Sequence, residues 1–343
     1  MQLQHTQIDW SGQHIYVGLD VHKNSWTVTV LTETIMQKKF SQPPDSECLV
    51  NYLRRHYPGA TYHCVYEAGF SGYWIHDQLQ SYGIDCRVVN AADVPTTDKE
   101  KRTKTNKVDS GKLARSLRNG ELRGIYTPAR AALEDRTMVR LRHTLVSKQT
   151  RCKNQIKSLL LFYGIHVPDD IEERYWSRRY IAWIGGLKMI NTSGDHTLQT
   201  LLSELMHLRQ SVLSVTRAIR SLSRKERYAT HVANLVTLPD ISILTAMILL
   251  TELGPLSRFR SLDTLASYVG LVPGEHSSGD DRTITEITKR KNPFLCWIMI
   301  ESAWVAVRHD TGLALAFSLL CKRMSKNRAI IRIARKLLNR IRF

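Results

Sequence analysis

IYVGLDVHKNSWTVTVL, residues 15–31, decides how the chain reads. Its first half is an apolar run that carries Asp20 at its end. A polar turn follows, and WTVTVL (26–31) then alternates with the period of two expected of a strand. The stretch predicts a β-hairpin with a carboxylate at the end of its first strand. Further along, TYHCVYE (Thr61–Glu67) predicts another strand, again ending on an acid. AGFSG follows it, and YWIHDQLQSYG then has helical spacing. Asp85–Asn90 reads as a short strand, and Lys107–Leu117 as a helix with Asp109 near its start. Strands alternating with helices, with acids at strand ends, predict an α/β sheet with a site at its carboxyl edge.

The second half reads as helical. From Ala131 to Tyr163 the chain is basic, with Leu133, Val139, Leu145, Ile156 and Leu159 as candidate buried positions. Gly164, Pro168 and RYWSRRYIAWIGG interrupt it, and a second helical run spans Leu198–Arg224. Two long amphipathic helices with a break between them fit an αα-hairpin or coiled coil, or an ordinary helical bundle. Trp176, Tyr180 and Trp183 lie among arginines, which fits stacking on unpaired bases or, more simply, a buried helix contact. Beyond residue 233, LPDISILTAMILLTELGPL and SLDTLASYVGLVPG read as compact helices and EHSSGDDRTITEITKRKN (275–292) as a polar loop. CWIMIESAWVAVRH reads as an apolar helix, and the tail Lys322–Phe343 as a basic amphipathic one. The expected organisation is α/β plus α: an α/β domain over 1–130, a helical coiled-coil linker over 131–232, and a mainly helical domain over 233–343.

Composition narrows the function classes. Hydrophobic residues make up 43% of the 343 and charged residues 23%, as in a folded soluble protein. The net charge of +18 points to a polyanionic partner, nucleic acid above all. Residues 99–157 hold 17 Lys/Arg against 5 Asp/Glu, which is +12 of that total. The six cysteines form no CxxC pair and their spacing does not suit zinc, so free thiols in a reducing cytoplasm are expected. The N-terminal residues lack the apolar core of a signal peptide, and the apolar run around Ile243–Leu250 is far short of a membrane span.

Asp20, Glu67 and Asp109 sit where metal-assisted phosphoryl chemistry needs carboxylates. Magnesium takes hard oxygen ligands, and strand ends hold such ligands rigidly. Each acid alone also fits a duller role: a turn residue, a surface acid, a helix N-terminal charge.

YVGLDVHKNSWTVTV, VYEAGFSGYW and KTNKVDSGKLARSL resemble the three acidic blocks of the DEDD transposases of bacterial insertion sequences, bridge-RNA-guided serine recombinases with a RuvC-like domain. FRSLDTLASYVGLVPGEHSSG and ITKRKNPFLCWIMIESAW resemble their second signature, and the resemblance runs from Gly18 to His309. It implies a ribonuclease H-like (RuvC-like) N-terminal domain that binds Mg2+ through Asp20, Glu67, Asn106 and Asp109. Asn106 stands where the family has an acid; its amide oxygen keeps the shape of a ligand and loses the charge. Ser110-Gly111 is a smaller departure.

The resemblance also implies a nucleophilic serine at Ser278, with Ser277 its immediate neighbour. A serine hydroxyl needs a base, a metal or a positive field to attack, and Gly279 beside it leaves room for a phosphodiester. Lys291 stands where the family has glycine. The implied mechanism is DNA strand cleavage and rejoining through a phosphoserine link, with the serine of one subunit meeting the carboxylates of another. The implied partners are donor and target DNA, an element-encoded guide RNA and further copies of the chain, as a homodimer or homotetramer, with no membrane. Lys101, Arg102, Lys104, Lys107, Lys289 and Arg290 are the expected nucleic-acid contacts. Two other readings stay open: a RuvC-like Mg2+-dependent junction nuclease using water, and a catalytically weakened nucleic-acid-binding remnant.

Overall fold

The computed structural model describes residues 9–95, 106–172, 175–238, 241–278, 281–288 and 290–342, with only the backbone described for 106–108, 274–278 and 281–287. The chain forms two compact units, Met1–Thr127 and Pro128–Phe343.

The first unit is built on one sheet. Strands β1 (His14–Val21), β2 (Trp26–Leu31) and β3 (Met36–Gln42) form an antiparallel meander; β4 (Thr61–Glu67) pairs parallel with β1, and β5 (Asp85–Val89) parallel with β4. The strand order is β3-β2-β1-β4-β5. Period-two alternation divides each strand between two faces. Ile15, Val17, Leu19, Trp26, Val28 and Val30 pack with Leu49 and Leu53 of α1 (Ser46–His56) and Ile75 and Leu79 of α2 (Trp74–Ser81). Val65 and Val89, on the other face, pack with Leu113 and Leu117 of α3 (Asn106–Arg118). A mixed five-stranded sheet covered on both faces fits the ribonuclease H-like expectation.

In the second unit, α4 (Arg130–Phe162) and α6 (Thr192–Leu222) lie antiparallel. Arg142 Nε donates to Thr216 Oγ1 at 2.8 Å, and Cys152 Sγ to the Leu201 carbonyl at 3.3 Å. Thirty-three residues make α4 about 50 Å long. The far end of this pair buries Cys152, Ile156, Leu198 and Leu205 with Trp176 and, from α5 (Arg178–Gly186), Tyr180 and Ile184. Trp176 and Tyr180 are therefore core residues, as the simpler of the two readings had it.

The near end joins a helical body made of α7 (Glu226–Leu235), α8 (Ile243–Leu253), α9 (Leu262–Val269), α10 (Pro293–His309), α11 (Thr311–Cys321) and α12 (Lys326–Arg342). Buried Asp135 of α4 accepts from Arg227 Nη2 at 2.9 Å and Tyr228 Oη at 2.8 Å of α7. The base of α4 is thus built into this body.

One sequence reading is corrected. The polar stretch read as a loop over 275–292 contains a β-hairpin, β6 (Pro273–Ser278) and β7 (Asp281–Ile287). β7 holds three β-branched residues in a row at Thr283-Ile284-Thr285, and Gly279-Asp280 separates the two strands; both are hairpin signals that the polar composition obscured.

Candidate active site

The acidic site begins with register. Leu19 of β1 pairs with Tyr66 of β4, so Asp20 and Glu67 are the next positions on two adjacent parallel strands. Neighbouring strands lie about 4.8 Å apart, and equivalent positions share a face. That face is the one α3 covers, because Gly18 and Val65 precede the two acids by two residues.

Gly18 sets the depth of α3. A Cβ at Gly18 would lie 2.0 Å from the Ser110 carbonyl oxygen and 2.6 Å from the Ala114 nitrogen, so the helix backbone rests on the strand itself. Thr29 Oγ1 and Ser110 Oγ share a buried hydrogen bond at 2.9 Å, which fixes the helix along β2. Asp109, in the first turn of α3 and next to Ser110, is thereby carried to Asp20. Burial pushes the Asp20 carboxyl above its ordinary value, and the negative charge of Asp109 pushes the same way; His22 and Lys39 oppose the rise. His22 Nε2 lies 3.2 Å from Asp20 Oδ2.

The sequence reading missed Gly18, Thr29, His22 and Lys39. A glycine in the interior of an otherwise strong strand was the available signal, since it marks a close backbone approach.

Among the described residues, no three His, Cys, Asp or Glu side chains converge closely enough to hold a metal ion. The Asn106 side chain lies outside those residues. The donor set is of the kind magnesium takes: hard oxygens, two at equivalent positions of adjacent strands, and a third whose charge acts on Asp20.

In the second unit, Ser278 occupies the last paired position of β6, opposite Asp281, and Ser277 pairs with Arg282. Adjacent positions of a pleated strand belong to opposite faces, so the two serines are not equivalent. The foot of the hairpin is pinned. Thr288 N donates to the Val272 carbonyl at 3.2 Å, and Asn292 N to the Tyr268 carbonyl at 3.1 Å. Asn292 caps α10 by accepting from Phe294 N and Leu295 N, and its Nδ2 donates to Glu252 Oε2 at 2.9 Å.

Glu252 is fully buried and also accepts from Arg140 Nε at 2.5 Å and Nη2 at 2.8 Å. Burial alone would raise its pKa; the hydrogen bonds from Arg140 and Asn292, with the charges of Arg140 and Arg136, outweigh burial and bring it below the ordinary value. A lone acid in the apolar run of α8 was the sequence signal for this centre.

The expected nucleic-acid contacts divide. Lys101, Arg102, Lys104 and Lys289, and the side chain of Lys107, lie outside the described residues; Arg290 is exposed. Part of the basic belt is structural, since Arg136, Arg140 and Arg142 are spent on Thr251, Glu252 and Thr216.

With this geometry in view, the chain's similarity to known proteins can be stated. A family model described as Transposase, that of the DEDD transposases of IS110 type, matches residues 17–165. One described as Transposase IS116/IS110/IS902 family matches residues 232–318. The two models match in that order along the chain, which spans 58% of the length of the first of the following relatives. A putative transposase of Sinorhizobium fredii is 30% identical over 247 residues, 71% of this chain and 58% of that protein. A second from the same organism is 25% identical over 359 residues, 94% of this chain and 90% of the relative. The transposase for insertion sequence element IS1533 of Leptospira borgpetersenii is 27% identical over 243 residues, 69% of each chain. No helix among the described residues is long and apolar enough to cross a membrane.

Proposed function

We propose that this protein is the transposase of a bacterial insertion sequence, acting in the cytoplasm to cut and rejoin DNA through a phosphoserine intermediate. The observation that carries the reading is the seating of α3 on Gly18, which brings Asp109 to Asp20 on the face shared with Glu67, in a chain that also presents Ser278 at a hairpin end. Asp20, Glu67 and Asp109, with the amide oxygen of Asn106, would hold Mg2+. Bound there, magnesium supplies a Lewis acid for charge developing on phosphoryl oxygens.

The Ser278 hydroxyl oxygen attacks the phosphorus. The bond from phosphorus to one sugar oxygen breaks, and that oxygen leaves as a hydroxyl carrying the proton the serine gave up. Attack by a hydroxyl of a second strand reverses the exchange, rejoins DNA and frees the serine, without net hydrolysis. Lys101, Arg102, Lys104, Lys107, Lys289 and Arg290 hold phosphates of donor and target DNA and of an element-encoded guide RNA, base pairing with which selects the sites. Functionally the chain divides into a RuvC-like domain (1–130), a coiled-coil linker that assembles dimers or tetramers (131–232) and a serine domain (233–343).

The test is a denaturing gel of protein, Mg2+, RNA transcribed from the element's own flank, and labelled DNA spanning the element junction. A protein–DNA band lost in Ser278→Ala supports the reading. Free cut ends in both lanes replace it with a water-using nuclease, and binding without scission replaces it with a silent remnant.

A further inference from the structure

The second unit contains a groove of 1410 Å3 that neither the acidic site nor the serine hairpin accounts for. One wall is α12. Its apolar stripe, including Ile330, Ile333, Leu337 and Ile341, is buried in the helical body, and the opposite side presents Arg328, Arg332, Lys336 and Arg340 to the groove. These four recur every fourth residue, one cation per turn, at intervals of about 6 Å. Arg323, just beyond α11, and Lys291, between β7 and α10, reach the same groove from two other elements. Pro273, the first residue of β6, lies at its edge, so the groove ends at the foot of the serine hairpin. None of the described residues that line it is acidic.

A basic amphipathic helix ordinarily presents a solvated face. Here the cations converge from three elements on a concavity, and that concavity exceeds the ~300–1,000 Å3 of small-molecule pockets. Arg335 is paired with Asp263 and Arg340 with Asp310. Arg323, Arg328, Arg332 and Lys336 have no acidic partner among the described residues. A large groove with regularly spaced cations suits a polyanion of regular repeat. Arginine predominates over lysine, which favours phosphate oxygens held by paired N–H donors. The described lining carries no aromatic side chain on which an unpaired base would stack.

We propose that this groove binds the phosphate backbone of duplex DNA and leads it to the foot of the Ser278 hairpin. The choice of DNA as occupant rests on the function proposed above. The cation interval of about 6 Å on α12 is close to every second phosphate of one strand, at ~3.4 Å per phosphate along the duplex axis.

The test is fluorescence anisotropy of the full-length protein with a labelled 30-base-pair DNA duplex of arbitrary sequence, between 50 and 200 mM salt. Three variants are compared: Arg328→Gln/Arg332→Gln/Lys336→Gln; Lys188→Gln/Arg224→Gln/Lys225→Gln, which removes equal charge from exposed positions away from the groove; and Ser278→Ala. Each phosphate contact contributes about 0.9 to the logarithmic salt slope. Over this fourfold salt change the wild type should lose about 40-fold more affinity than the groove triple, the equivalent of three contacts. The control triple and Ser278→Ala should follow the wild type.

Equal slopes for the two triples would overturn the assignment. So would a groove effect confined to single-stranded DNA or to displacement by polyglutamate. The two triples replace exposed side chains, and unchanged thermal unfolding verifies folding. A changed slope with no covalent adduct would remove the serine chemistry and leave the groove; an adduct with an unchanged slope would do the reverse.

Discussion

Gly18→Ala tests how the acidic site is assembled. The added Cβ would stand 2.0 Å from the Ser110 carbonyl oxygen and 2.6 Å from the Ala114 nitrogen, where 3.4 Å is the lower limit of ordinary contact. Both obstacles are helix backbone, so no side chain can swing aside. α3 must recede by about 1.4 Å, taking Asp109 away from Asp20. Overpacking of this kind costs ~1–3 kcal/mol, and loss of the Thr29–Ser110 hydrogen bond adds about 1 kcal/mol. A displacement of ~1 Å at a reacting constellation lowers rates by about 100-fold.

The assay pairs urea unfolding with the rate of strand cleavage. Gly111→Ala is the internal control: in α3 itself, directly after Ser110, its Cβ would meet Lys39 Nζ at 3.8 Å and Thr29 Oγ1 at 3.9 Å, which is ordinary contact. Removing a helical glycine there should stabilise by up to ~1 kcal/mol. Gly18→Ala with wild-type rate and a stability within about 0.5 kcal/mol of wild type would refute the reasoning.

Further predictions concern the hairpin foot and the metal. Asn292→Ala removes the α10 cap, about 1 kcal/mol, and a hydrogen bond to a buried carboxylate, ~1.5–3 kcal/mol; denaturant midpoints should show the sum. Asn292→Asp keeps the cap but sets a second carboxylate against Glu252, so it too should destabilise the fold, through repulsion. Because Glu252 is held below its ordinary value near 4.5, it stabilises the fold above that pH, and the contribution disappears as pH falls through its lowered value. Thermal unfolding followed from pH 6 to pH 3 should therefore decline less steeply in Glu252→Gln, from a lower starting point. Asn106→Asp should tighten Mg2+ binding by ~10-fold in calorimetric titration, and Asp20→Asn should weaken it.

Much of this was legible in the chain. The strand carrying Asp20 is legible as an apolar run ending on an acid, its hairpin partner by alternation, and TYHCVYE and the α3 helix by their place in the same pattern. What was hidden depended on partners distant in sequence. Gly18 becomes meaningful only when α3, some ninety residues on, lies across it. Glu252 looked like an anomaly in an apolar helix until Arg140 and Asn292 supplied its donors. The hairpin holding Ser278 looks like a loop in the sequence because charge and glycine outweigh a short β-branched run. The belt over 99–157 looked uniformly available to nucleic acid, yet Arg136, Arg140 and Arg142 serve the protein's own interior. The groove along α12 could not be read at all, because its cations converge only after the helical body forms.

The central claim is that Ser278 becomes covalently bonded to DNA, and peptide mass spectrometry of the trapped adduct tests it most directly. Nuclease digestion of the protein–DNA band, followed by proteolysis, should leave a nucleotide mass on the peptide containing Ser277 and Ser278, with fragment ions placing it on Ser278. A nucleotide on Ser277 or on any other residue, or cut DNA with no modified peptide, would contradict the account.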